Sequence, residues 1–265
     1  MPAISVMPKV GGYLPDPFDR SDKRMKLIRN SLKDMAVTSG EHIIQEYTPI
    51  SEQLNLSSCV ANACADALEI LLGLERHGNS TQLSRLFIYW IARSFSGDHK
   101  RDAGSYIRIA AQQMMKLGVP PEKYWPYNIS RVFTSPTLEA FNIASDNTIN
   151  GMYRIDSVMD DRVEDVETAI QANHPVVFGT VVGTDFQAYR GGGDAFGPTL
   201  HEVGRHAMIL TGVRHRADGQ REFLVRNSWG DGWGDQGHAW MNEGYIEWSE
   251  TQDLWVFTRM QELVV

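Results

Sequence analysis

The chain has 265 residues, 42% hydrophobic and 22% charged, with 25 Lys and Arg against 33 Asp and Glu and a formal net charge of −8. At about 150 residues per domain this is one large or two small domains, long enough to bury a core without disulfide or metal support. The acidic balance argues against a nucleic acid or an anionic membrane as the main partner, since both select basic surfaces.

Residues 1–23 contain Pro2, Pro8, Pro15 and Pro17, two adjacent glycines and the string YLPDPFDRSD, and read as an extended or turning arm. Met25, Ile28, Leu32 and Met35 then recur at helical spacing behind Ser21 and Asp22 as candidate caps. Residues 37–49 end in Thr48-Pro49 and suggest an extended crossing segment. From about residue 58 the chain is rich in Ala and Leu, with no Pro and its first Gly at Gly73, which predicts one long buried helix beginning at Cys59 and ending at Gly78. Further helices are expected around 81–95 and 104–117, so the N-terminal half is helical. After the turn segment VPPEKYWPYN and an amphipathic stretch near 161–173, the runs PVVFGTVV, HAMILTGVR, REFLVRNSW, GHAWMN and LWVFTR predict a sheet. The carboxylates Asp160, Asp161, Glu164 and Asp165 read as a solvated helix face. The first residues lack the apolar stretch of a signal peptide and no window approaches 18 apolar residues, so a cytoplasmic protein is expected.

Chemistry concentrates at a few positions. The two cysteines, Cys59 and Cys64, stand five residues apart. On a helix that spacing turns them about 140° from one another, so both are expected as free thiols. Cys64, inside the helix, is expected to pack in the core. Cys59, at the helix start, is placed to feel unpaired N–H groups and the positive end of the helix dipole, which favour a thiolate. An activated thiol also needs a basic neighbour, and His206 opens an apolar strand that supplies one. Gln53 lies six residues before Cys59 across the loop LNLSS, where its amide and the Cys59 N–H could hold an oxyanion. Asn227, 21 residues after His206, sits in RNSWGDGWGDQGHAWM.

Gln53, Ser58-Cys59, His206, Asn227-Ser228-Trp229-Gly230 and Trp233-Gly234 stand in the order and spacing of the papain-like cysteine peptidases, and over residues 46–260 the chain resembles that family, in its bacterial, disulfide-free branch. Tyr124-Trp125-Pro126-Tyr127 is similar to the family's YPY segment. The resemblance implies an α+β fold of two lobes with the active site in the cleft between them: an N-terminal arm and helix over 1–45, a helical lobe over 46–150 carrying Cys59, and a sheet-rich, barrel-like lobe over 151–265 carrying His206 and Asn227. It implies a cysteine endopeptidase in which Cys59 attacks the peptide carbonyl, His206 pairs with it and protonates the leaving amine, and Asn227 orients His206. Trp229 would shield that hydrogen bond, Gln53 would complete an oxyanion hole, and Gly104 would expose backbone to an extended substrate.

The chain also departs from the family. Val60 replaces the usual Trp after the nucleophile, Leu56 stands where secreted members carry a bridging Cys, and Ala103 replaces a second Gly before Gly104. Residues 1–45 lack the long helical pro-segment signature, and a shorter arm restricting access to the cleft is expected in its place. Rival readings are a catalytically silent papain-fold binding protein and an amidase or acyltransferase using the same triad. His201, His206 and His215 lack carboxylate or thiol partners at ligand spacing, so no metal and no cofactor are expected. Gly191-Gly192-Gly193 reads as a loop bordering the cleft, since no Gly-Lys-Ser/Thr follows. The expected partners are a peptide or protein substrate and the chain's own N-terminal segment, with no nucleic acid, no membrane and a monomeric state.

Overall fold

A computed structural model describes residues 9–37 and 40–259. The helices in chain order are α1 (Arg29–Met35), α2 (Cys59–Glu75), α3 (Arg85–Phe95), α4 (Ile107–Leu117), α5 (Leu138–Ala144), α6 (Met159–Gln171), α7 (Thr184–Ala188) and α8 (Glu243–Glu247). The strands are β1 (Tyr13–Leu14), β2 (Glu41–Ile43), β3 (Ser105–Tyr106), β4 (Gly151–Ile155), β5 (Val176–Gly183), β6 (Glu202–His215), β7 (Arg221–Arg226), β8 (His238–Asn242) and β9 (Gln252–Thr258).

Helix α2 positions the rest. Its residues from Cys59 through Gly73 are all buried: the Ala and Leu positions pack in the core, and the polar row Asn62, Asp66 and Glu69 is buried with partners in Ser58, Arg226 and the Leu83 N–H. It packs on α3 and α4 on one side and on β6 on the other. Gly73 is tolerated mid-helix because the Tyr47 ring occupies the space of its missing side chain, 2.0 Å from where a Cβ would stand. The helix stops three residues before the expected Gly78, whose N–H turns back to the Gly73 carbonyl at 2.8 Å with φ +91°, so that glycine closes the C-terminal turn.

The sheet is antiparallel, in the order β4-β9-β5-β6-β7-β8, with β2 beside the outer half of β6. No pairing joins β4 to β8 among the described residues, so the sheet is open and "barrel-like" describes it only loosely. Strand β6 starts at Glu202, four residues before the expected His206, because pairing with β5 continues to Gly183. The short N-terminal helix divides into a 3-10 turn over Met25–Leu27 and α1, which packs on α6. Of the carboxylates expected to be solvated, Asp165 is buried: Arg29 on α1 reaches it at 2.5 Å and Ser157 donates to it at 2.6 Å. An unpaired charge there would be expelled, but docking of α1 supplies its partner. No helix of the described residues is long and apolar enough to cross a membrane.

Candidate active site

The packing of α2 against β6 brings Cys59, the first residue of the helix, to the N–H of Ala207, the residue after His206 on β6. The Ser58 side chain does not cap the helix; its hydroxyl bonds the Tyr127 hydroxyl at 2.6 Å instead. The first helical N–H groups are therefore left without a side-chain acceptor, and those of Cys59 and Val60 face the sulfur, as do those of Ala207 and Gly12. These donors favour a thiolate, yet complete burial outweighs them and pushes the thiol up to about 12. Cys64 is buried and free.

His206 is wholly buried, paired across the sheet with Thr180. Its Nε2 lies 2.8 Å from Asn227 Oδ1, an oxygen that also accepts the Ser228 N–H at 2.7 Å. That second donor identifies the Asn227 atom as the oxygen, so His206 carries its proton on Nε2 and keeps a lone pair on Nδ1. Nδ1 has no hydrogen-bond partner among the described residues. Burial pulls His206 down to about 4 against the opposing effect of the Asn227 bond. The Trp229 ring stacks on the imidazole, 4.6 Å between centroids and 26° between planes, and is itself braced edge-on by Phe186 and Trp233.

Gln53 is clamped on three sides. Its Oε1 accepts from Ser228 Oγ at 2.8 Å, its carbonyl accepts from the Tyr127 hydroxyl at 2.9 Å, and its N–H donates to the Ser228 carbonyl at 2.9 Å. Its amide Nε2 donates to Leu56 O and to Lys9 O, each at 3.0 Å. Sequence reasoning did not single out Tyr127 and Ser228 as supports of Gln53, although both lie within motifs it had noted.

The arm occupies this cleft. From Lys9 at Gln53 it passes Gly11, whose N–H reaches Arg205 O at 2.8 Å, and Gly12, whose N–H faces the Cys59 sulfur. The Gly12 carbonyl accepts from Ser105 N at 3.0 Å, and β1 then pairs parallel with β3. The fit leaves no room for side chains. A Cβ on Gly12 would meet the Ser57 backbone at 2.6 Å, and one on Gly104, where φ is +77°, would meet Gly12 O at 2.5 Å. Lys9 Nζ meets Asp102 at 2.5 Å, and the same carboxylate takes the Ser57 N–H and the Tyr89 hydroxyl. Gly191-Gly192-Gly193 follows Tyr189, which packs on Trp233.

A sequence model of the papain family cysteine proteases matches residues 39–256. The chain belongs to that family. Among solved structures it is similar to xylellain, a cysteine protease from Xylella fastidiosa, at 26% identity and a TM-score of 0.80 over 97% of this chain and 99% of that one. Among curated relatives it is 27% identical to an uncharacterized peptidase C1-like protein of Acanthamoeba polyphaga mimivirus, over 96% of this chain and 88% of that protein. It is 28% identical to papain of Carica papaya over 74% of this chain, which spans 52% of that relative. The chain is thus a papain-like cysteine peptidase, and the resemblance met in Asn227-Ser228-Trp229-Gly230 extends through the fold. Among the described residues no group of three or more His, Cys, Asp and Glu side chains is arranged to hold a metal ion.

Proposed function

We propose that the chain is an endopeptidase in which Cys59, His206 and Asn227 hydrolyse peptide bonds through an acyl-enzyme. The observation that carries this reading is the tautomer of His206: with Nε2–H held by Asn227, Nδ1 keeps a free lone pair on the strand whose next residue, Ala207, points its N–H at the Cys59 sulfur. Nδ1 takes the thiol proton, the sulfur attacks the substrate carbonyl carbon, and the resulting oxyanion is met by Gln53 Nε2–H and the Cys59 N–H. The imidazolium then protonates the leaving amine. A water deprotonated by Nδ1 splits the thioester and returns the thiol. Trp229 keeps the His206–Asn227 bond dry, which strengthens it and holds the ring orientation.

In the arm-covered state none of these steps can begin. The Lys9 carbonyl holds the Gln53 amide, Gly12 covers the sulfur, and the dry pair stays as thiol and neutral imidazole. With Gly104 serving the backbone of an acyl-side substrate, such a substrate would run from Ser105 toward Gln53. The arm runs the opposite way, from Lys9 at Gln53 to Tyr13 at Ser105, so it fills the cleft without presenting a peptide bond in the reactive sense.

The test is the pH dependence of Cys59 alkylation, resolved from Cys64 by peptide mapping, in the wild type, Gly12→Ala and His206→Ala. Gly12→Ala forces the arm off the Ser57 backbone and is expected to speed alkylation of Cys59 below pH 7, and adding His206→Ala to it is expected to abolish the gain. Alkylation at the same slow rate in all three would reject the reading. Mass spectrometry of peptide products separates main-chain cleavage from side-chain amide hydrolysis or acyl transfer.

A further inference from the structure

We propose that Asp66, on the nucleophile helix, is a positioning residue that holds the Gln53 amide and the His206 partner Asn227 in register with Cys59; this rests on the peptidase reading above. Asp66 stands seven residues after Cys59 on α2 and is 2% exposed. Seven residues are close to two helical turns, so it lies on the same face of α2 as the sulfur. Its two oxygens hold two different segments. Oδ1 accepts from Ser51 Oγ at 2.8 Å, and Oδ2 lies 3.3 Å from Arg226 Nε, which makes no hydrogen bond elsewhere among the described residues. Ser51 is two residues before Gln53, and Arg226 is the residue before Asn227.

From these two anchors the segments run side by side. The Gly230 N–H donates to the Ser51 carbonyl at 2.9 Å, Glu52 faces Trp229 in an antiparallel bridge, and the Gln53 N–H donates to the Ser228 carbonyl at 2.9 Å. The last link, from Ser228 Oγ to Gln53 Oε1 at 2.8 Å, orients the amide whose Nε2 would meet the oxyanion. Cys59 through the helix, Gln53 through Ser51 and Asn227 through Arg226 thus share one carboxylate.

Burying a charge there does not by itself favour folding, since an apolar side chain of similar volume often packs as well or better. What an apolar residue lacks is contacts with direction, aimed at two segments at once. Catalysis is sensitive to such aim: misplacing a reacting group by about 1 Å from a distant site can cost about 100-fold in rate.

The experiment measures kcat and KM of the full-length chain on a fluorogenic peptide that the wild type cuts, counted per Cys59 reactive to alkylation. Ser51→Ala and Asp66→Asn are each placed on the wild type, on Gln53→Ala and on Asn227→Ala. Ser51→Ala releases only the Gln53 anchor. Its kcat should fall about tenfold with KM within about twofold, and the fall should vanish on Gln53→Ala. Asp66→Asn keeps an acceptor for Ser51 and turns an amide donor toward Arg226 Nε. Arg226 remains held by Glu46 and by the Thr48 and Pro49 carbonyls, so the fold is kept. The Asp66→Asn kcat should fall by about 10- to 100-fold, a loss that persists on Gln53→Ala and vanishes on Asn227→Ala. Equal fractional losses on every background, or a smaller reactive fraction of Cys59 with unchanged kcat per reactive site, would overturn the proposal and leave the peptidase reading standing. A wild type that cuts no peptide, with Cys59 unreactive in Gly12→Ala, would remove both.

Discussion

Two buried charge clusters, one under the cleft and one under the arm, use the same groups and join different things. Under the cleft, Arg226 donates to Glu46, to the Thr48 carbonyl at 3.2 Å and the Pro49 carbonyl at 2.8 Å, and lies 3.3 Å from Asp66 of α2. Arg226 directly precedes Asn227, so this cluster ties the nucleophile helix to the strand carrying the His partner. Under the arm, Arg108 of α4 grips Asp22 through two bonds of 2.8 and 2.6 Å and the Pro17 carbonyl at 2.5 Å. Arg154 spans Asp22 and Asp253 there, and a cavity of about 360 Å³ opens beside the group. The first cluster seals one cation, and beside it Glu69 of α2 has its proton affinity raised to about 8 by burial and by the charge of Asp66. The second leaves a carboxylate, Asp16, whose proton affinity is raised to about 7 by burial and by the charge of Asp253. The chemistry is shared, and what differs is the parts joined: Arg226 ties helix α2 to the end of β7, whereas the partners of Asp16 and Asp22 divide between the arm and the body beside an open cavity.

The sharpest way to break the contrast is Arg226→Met. It strands Asp66 and Glu46 without their cation, and is expected to cost about 3–5 kcal/mol in denaturant unfolding, with peptidase activity lost alongside. Next, Gln53→Ala removes one donor from the proposed oxyanion site, and should lower kcat by about 10²- to 10³-fold with the fold intact by circular dichroism. It also frees the Lys9 carbonyl, so Cys59 labelling should not slow in step.

The arm junction should respond to pH. Asp16 faces the Asp253 carboxylate and the Trp255 indole on β9, and the backbone N–H and guanidinium of Arg108 on α4. Its proton affinity is raised when the arm is docked and ordinary, near pKa 3.9, when the arm is free. The docked state therefore binds more protons. Docking is fully supported below about pH 4, weakens as pH rises toward about 7, and loses nothing further above that, with a slope of at most about tenfold per pH unit. Hydrogen exchange at Gly11 and Ser105, corrected for intrinsic rates, should follow this course in the wild type and flatten in Asp16→Asn. The smallest effect is expected from Tyr127→Phe, which takes one hydroxyl from Ser58 and the Gln53 carbonyl and should cost about 1 kcal/mol.

Local signals made much of this legible in the sequence. Ala and Leu without proline marked α2, β-branched runs marked β5 through β9, and Asn227-Ser228-Trp229-Gly230 lies beside the His206 strand because one hairpin, β6 to β7, brings them there. The fold class and family followed from these. What stayed hidden depends on contacts between residues far apart in sequence. Nothing around Tyr13 announces Gly179, against which its ring packs, or Asp253, which its hydroxyl meets, both more than 160 positions away, and a two-residue strand such as β1 leaves no period to read. Asp165 was misread for the same reason, since its partner Arg29 lies on another helix. The arm was recognised by its prolines, but its path through the cleft is set by Gly12 and Gly104, whose value as space is visible only once both backbones are in place.

The pairing of β1 with β3 also shapes the kinetics. Because the arm and a substrate would draw on the same donors, Ser105 N–H and the Gln53 amide, they exclude one another. A tethered competitor acts at the effective concentration set by its linkage, and the apparent Kd is the intrinsic one divided by the fraction of molecules in which it is off. Under the proposed function the arm would work as a concentration threshold, raising the substrate level needed for half-saturation and leaving the turnover of each opened molecule untouched.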